Sequence, residues 1–198
     1  MITLHIYGCR PEIYERAKEI GIPDRHIHTD DRPNGGTPLY VAKKAWLSPI
    51  EEGETYRCVL QDDVKVCDSF YDKLNQLIER QPTGIFSLFP LAFLKRTHIG
   101  DEKLNSGRWI IPTICVSGCA VMMPVDYIHD CWANAKEGEE ADDERAIIEY
   151  LMKSKCGLYT TLPSIIQHIG TECLIKSATT ELHGNIRTPY FIDELTKT

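Results

Sequence analysis

Apolar runs and helix-like patterns alternate through the first half of the chain, and this alternation limits the possible folds more than any other feature. Residues 2–8 (ITLHIYG) alternate and end in glycine. Residues 11–21 (PEIYERAKEIG) open with proline and close with Gly21, and Ile13, Ala17 and Ile20 share one helical face. Residues 25–31 (RHIHTDD) are a short strand ending in acids, followed by the turn-forming RPNGG. Thr37 is placed to cap a helix with Pro38 at its first position and Leu39, Ala42, Ala45 and Trp46 on its apolar face. YRCVLQDDV (56–64) is a third strand. A helix capped by Asp68 or Ser69 follows, with Phe70, Leu74, Leu77 and Ile78 inward, and GIFSLFPL (84–91) is a fourth strand. Strand–helix repetition of this kind predicts an α/β domain, a mostly parallel central sheet with helices on both faces. Ligands of such sheets bind beyond the carboxyl ends of the strands. That rule lines up Tyr7–Arg10 (including Gly8), Asp30–Asp31 and Asp62–Asp63 along one edge.

The second half is less regular. WIIPTICVSGCAVMMP (109–124) reads as one bent strand or two, with Gly118 at a position of close approach. A helix starts at Asp126, and another runs from about Asp142 to Ser154 with Ala146, Ile147, Tyr150 and Leu151 as its core stripe. GLYTTLPSIIQHIG (157–170) is a strand pattern interrupted by Pro163 that reaches His168. No linker, repeat or second-domain boundary is visible, and 198 residues suit a single domain with a full core.

Bulk properties exclude several function classes. The opening MITLHIYGC has no basic leader and no small-residue cleavage site, and no apolar run approaches the ~20 residues of a membrane span. The expectation is a soluble cytoplasmic protein that does not engage a membrane. The eight cysteines form no C-x-x-C pair, which speaks against a zinc ribbon and for free, mostly buried thiols. The net charge of −7 argues against broad phosphate-driven nucleic-acid binding. A local basic cleft from Lys43, Lys44, Lys95, Arg96, Arg108, Lys176 and Arg187 remains open.

Four features carry chemistry. Asp62 and Asp63 end an apolar strand, where adjacent carboxylates repel each other and resist burial. They form either a solvated turn or a site for a hard cation that carries a phosphate. Asp142 and Asp143, with Glu144, open a helix: they either complement its dipole or supply a general base. His168 ends a strand as a core histidine, a cap or a metal ligand. Arg187, near His183 in a glycine-containing loop, is either part of a surface tail or a fork for a diphosphate.

In this order the features resemble the GT-A glycosyltransferases, in particular lipooligosaccharide-type and small phage-encoded members. VLQDDV is similar to the short form of their DxD motif, and KKAWLSP to the helix that precedes it. The resemblance implies a single GT-A-like domain over residues 1–198 that moves a sugar from a nucleotide-sugar donor to a hydroxyl. The family most often uses UDP-sugars. It implies Mn²⁺ or Mg²⁺ on Asp63 with His168, donor contacts from Tyr7, Gly8, Arg10, Asp30, Asp31, Gln61, Asp62 and Arg187, and a catalytic base at Asp143 or Asp142. The acceptor would be a sugar, a glycan or a hydroxymethylated pyrimidine in phage DNA, in which case the host cytoplasm is the location. Gln61 stands where the family often has an acid, so the metal would rest mainly on Asp63. Two other classes are nucleotidyl transfer, for which the single glycine of YGCRPE is a poor phosphate cradle, and a non-catalytic nucleotide-sugar-binding module.

Overall fold

The computed structural model describes residues 1–32, 38–90, 110–113, 116–133, 135, 143–169 and 191. Strands β1 (Ile2–Gly8), β2 (Ile27–Thr29), β3 (Tyr56–Gln61), β5 (Ile85–Ser87), β6 (Ile110–Pro112), β7 (Ala120–Pro124) and β8 (Leu158–Thr161) form a seven-stranded sheet in the order β2-β1-β3-β7-β5-β8-β6. β1 pairs in parallel with β2 and β3, and β5 with β8. β7 runs antiparallel to β3 and β5, and β6 antiparallel to β8. Five strands therefore share one direction and β6 and β7 oppose it, which gives a mixed, mostly parallel α/β sheet. The expected "one bent strand or two" over 109–124 resolves into two strands far apart in the sheet.

Period-two burial explains how both faces are covered. Leu4, Ile6, Cys58, Leu60, Phe86 and Met122 point to one face, under α1 (Ile13–Ile20) and α3 (Phe70–Arg80). Tyr7, Val59, Ile85, Val121 and Met123 point to the other, under α2 (Pro38–Trp46), α4 (Val125–Trp132) and α5 (Asp143–Lys153). Trp46 of α2 stacks on Trp132 of α4 with ring centroids 5.4 Å apart, an offset aromatic contact that adds to simple burial. α1 ends as its sequence predicts, with Gly21 in the left-handed region at φ 84° and its N–H turned back to Ala17 and Lys18 carbonyls. The cap of α2 expected at Thr37 lies outside the described residues. At α3 the residue before the helix is Ser69, but its side chain makes no capping bond.

One expected strand divides. YRCVLQDDV is not continuous: the chain turns at Asp62–Asp63, and Val64–Val66 becomes β4, which pairs antiparallel with β9 (Ile166–His168) in a separate two-stranded sheet. An acidic pair cannot continue a buried strand without cost, so the turn falls where the two carboxylates begin. The register places Val64 opposite His168, and that pairing brings a residue from late in the chain to the end of β3.

No helix among the described residues is long and apolar enough to cross a membrane. Cys9, Cys58, Cys131 and Cys156 are free thiols. Burial raises Cys58 and pushes Cys131 up to about 12, so neither is a thiolate near neutrality.

Candidate functional site

The connection from β1 to β2 goes to one side of β1, and the chain then returns to place β3 on the other side. This reversal makes the carboxyl ends of β1 and β3 a topological switch point, the position where open α/β sheets bind ligands. Tyr7 pairs with Gln61 and Gly8 with Thr29, so the three strand ends expected to share an edge do so.

Asp62 sits directly on Gly8. A β-carbon on Gly8 would lie 2.0 Å from Asp62 Oδ2 and 2.6 Å from its Cβ, so only glycine admits this carboxylate. Asp62 Oδ2 accepts the backbone N–H groups of Cys9 at 3.0 Å and Arg10 at 2.8 Å. Its Oδ1 accepts the Arg10 guanidinium. Asp62 thus orders the loop after β1 and has both oxygens engaged.

Asp63 is held differently. Its Oδ2 lies 3.0 Å from Arg10 Nη1 and 3.1 Å from His168 Nε2. Its backbone carbonyl accepts the Ile169 N–H at 2.8 Å. Asp63 Oδ1 and His168 Nδ1 are buried and have no hydrogen-bond partner. Burial works to raise the Asp63 carboxyl, but the His168 bond and the nearby Arg10 charge outweigh it and leave the group below its ordinary range. Arg10 itself loses some basicity to burial and regains more from Asp63 and Asp62, so its guanidinium is held charged.

Gln61 donates from Nε2 to the Tyr7 hydroxyl at 3.0 Å, and that hydroxyl reaches the Gly118 carbonyl at 3.5 Å. The Gly118 N–H donates to Glu144 Oε1 at 2.8 Å. Glu144 lies on the first turn of α5, so this relay joins the start of that helix to the carboxyl ends of β1 and β3. Glu144 thus reaches the strand ends from the start of α5. Asp142 lies outside the described residues, and Asp143 is described only as the first residue of α5.

At the end of β2, Asp30 Oδ1 accepts the Arg32 N–H at 3.1 Å, and Asp31 meets the Tyr40 hydroxyl at 3.0 Å and Lys44 Nζ at 3.1 Å. The Arg32 guanidinium lies 3.7 Å from the Tyr40 ring centroid. Lys44 also donates to the Thr29 carbonyl, and Lys43 to that of Ala135. Two of the cleft cations expected from the sequence are thus occupied with structure. Lys95, Arg96, Arg108, Lys176 and Arg187 lie outside the described residues.

Among the described residues, no group of three or more His, Cys, Asp or Glu side chains converges as a metal cage. A hard divalent ion needs no such cage where phosphate oxygens and water complete its shell. The buried, unpartnered Oδ1 of Asp63 beside His168 suits that mode of binding, whereas Asp62 is already committed to the loop. The residues fit a divalent ion held by Asp63 with His168, and Asp62 acts on the loop.

Sequence reasoning missed a second buried polar assembly on the α2 face. Arg57 and Glu54 are an ion pair with both side chains 0% exposed. Arg57 also donates to the carbonyls of Ala45, Trp46, Ser48 and Pro49, which closes the carboxyl end of α2 with a cation. His5 stacks between His26 and His28 at centroid separations of 4.1 and 5.3 Å. Alternation along β1 places His5 on the inner face with Thr3 and Tyr7, but nothing in the sequence announced its histidine partners.

No protein-family model matches the chain, and no curated protein matches it significantly.

Proposed function

We propose that the protein is a glycosyltransferase that moves a sugar from a nucleotide-sugar donor, a UDP-sugar first, to a hydroxyl of a sugar, a glycan or a hydroxymethylated pyrimidine in DNA. The reading is supported above all by an acidic pair at the carboxyl ends of β1 and β3, with Asp62 fixed over Gly8 and Asp63 bonded to His168. The net charge of −7 favours a small acceptor or a glycan over DNA.

Asp63 and His168 would hold Mn²⁺ or Mg²⁺, whose chemistry is Lewis-acid stabilisation of charge on a departing nucleoside diphosphate. Asp62 keeps the loop after β1 in place, and Asp30 and Asp31 at the end of β2 would contact the nucleoside. Gln61 and Tyr7 form a neutral, hydrogen-bonding floor between them. A carboxylate at the start of α5 takes the proton from the acceptor hydroxyl. Asp143 or Asp142 is the family expectation for this base, and the contact of Glu144 with Gly118 makes Glu144 their rival.

The test is release of nucleoside diphosphate from a panel of nucleotide sugars, with and without Mn²⁺, by the protein and by Asp63→Ala. Turnover with at least one donor that is lost in Asp63→Ala at unchanged fold is the expected result. Binding without turnover in any condition would leave a nucleotide-sugar-binding module instead.

A further inference from the structure

The edge that carries Asp62 and Asp63 has a cation of its own. Arg10 bridges Asp62 and Asp63, yet those carboxylates are not equivalent. Asp62 is committed through Oδ2 to two backbone N–H groups and through Oδ1 to Arg10. Asp63 is 8% exposed and keeps an unpartnered Oδ1. A metal ion that reaches this pair therefore meets an available oxygen only on Asp63, beside a guanidinium already 3.0 Å from the other oxygen of the same group. Two cations so close repel strongly where little water screens them. The Arg10 side chain is 24% exposed, so it has a path outward, and the amide bonds that anchor its loop do not depend on its guanidinium.

Charge balance gives the displaced guanidinium a destination. The ion pairs along this edge set Asp30, Asp31, Asp62 and Asp63 against Arg10, Arg32 and Lys44. Among the described residues, these four carboxylates stand against three arginine and lysine cations, an excess of negative charge that repels a diphosphate. A divalent ion reverses the sign, and a guanidinium turned off Asp63 adds a planar donor suited to phosphate oxygens.

We propose that Arg10 is a counter-ion that changes partners, neutralising Asp63 in the ligand-free protein and passing to the donor diphosphate when a divalent ion takes its place. The inference rests on the nucleotide-sugar reading and assigns Arg10 two opposed effects. Removing its charge helps the metal bind alone and harms the nucleotide. A residue that merely held Asp62 and Asp63 in position would harm both.

The experiment compares the wild-type protein with Arg10→Gln. Mn²⁺ alone is titrated by loss of the free-ion electron paramagnetic resonance signal. UDP, CDP, GDP and ADP are titrated by calorimetry at saturating Mn²⁺, with circular dichroism as the check on folding. The expected result is Mn²⁺ binding at least about threefold tighter, and nucleoside diphosphate binding about tenfold weaker, in Arg10→Gln. Arg10→Lys keeps a point charge without the fork, so it should shift both constants in the same two directions by less. It carries the test if the glutamine variant does not fold. Changes of one sign in both titrations, no change in either, or wild-type protein that takes up no Mn²⁺ would overturn the hand-over. Nucleotide binding that is unaffected by Arg10→Gln would sink the hand-over alone. Failure of all four nucleotides to bind the wild-type protein would sink the donor reading with it.

Discussion

Acidification from pH 8 to pH 5 should destabilise this protein through two buried histidines, well before its carboxylates titrate. Burial, with Arg57 and the neighbouring histidines adding repulsion, lowers His5 from 6.5 to about 2. Burial, then His26, Lys44 and Arg57, lowers His28 from 6.5 to about 4. Both are neutral in the folded protein at pH 5, while in the unfolded chain both are mostly protonated. The unfolded state thus binds more protons below pH 6.5, and stability falls as pH falls through that value. Each histidine contributes about 2 kcal/mol of this loss between pH 8 and pH 5, or about 4 kcal/mol together. For a chain of this length that is a drop in Tm of roughly 8–16 °C. The carboxylates around the cluster do not enter the window: Glu51 is held at about 2 by Arg25 and His26 although burial opposes them. Glu54 stays below its ordinary value because its bonds from Arg57 and Thr3 outweigh its burial. Urea denaturation at half-unit pH steps measures the slope, and His5→Gln should remove about half of it. A total loss below about 1 kcal/mol between pH 8 and pH 5 would show that these rings take up protons inside the fold and would refute the argument.

Other perturbations test other parts of the molecule. Arg57→Ala leaves Glu54 buried without its partner and the last carbonyls of α2 unpaired, and should cost about 3–5 kcal/mol by urea denaturation. Gly8→Ala drives a methyl into Asp62 and should cost about 1–3 kcal/mol while abolishing nucleotide binding by calorimetry. Glu144→Gln should lower turnover far more than donor affinity if Glu144 is the base, whereas an effect only in Asp143→Asn would return that role to its neighbour. In the native protein Cys9 should react with a thiol reagent, more slowly than an unperturbed thiol because burial and Asp62 raise it. Cys58 and Cys131 should react only on unfolding, as followed by mass spectrometry.

Local signals carried the first half of the fold because its elements obey local rules. Proline and glycine bracket α1, apolar residues recur at helical spacing in α2 and α3, and β1 and β3 are apolar runs of strand length. The mostly parallel sheet with helices on both faces follows from that order of elements. Strand order and the position of β7 were not legible, because they depend on pairing between residues distant in sequence. Nothing local to AVMMP says that it inserts antiparallel between β3 and β5. The division of YRCVLQDDV was missed for the same reason: VKV looks like the tail of its own strand until IQH arrives to pair with it.

The candidate site shows how pairing across the chain turns ambiguous residues into an arrangement. Asp62 and Asp63 were equivalent as letters, and each suited a turn as well as a cation. Asp62 differs because Gly8 leaves room for its carboxylate on the floor of the loop, where two amide N–H groups meet one oxygen. Asp63 differs because β4 turns away and pairs with β9, which sets His168 against it. The β4–β9 register decides the second, since a shift of β9 by a single residue would turn His168 to the opposite face and put Gln167 opposite Val64. The Asp63–His168 contact therefore depends on a two-stranded sheet of three residue pairs, a small element with few bonds to hold its register. Pro at position 167, which removes a backbone donor from the middle of that sheet, should separate the imidazole from the carboxylate without disturbing the seven-stranded core. Loss of Mn²⁺ uptake by Gln167→Pro, with the urea midpoint of the core little changed, is the expected outcome; retained Mn²⁺ affinity would show that Asp63 binds the ion without His168.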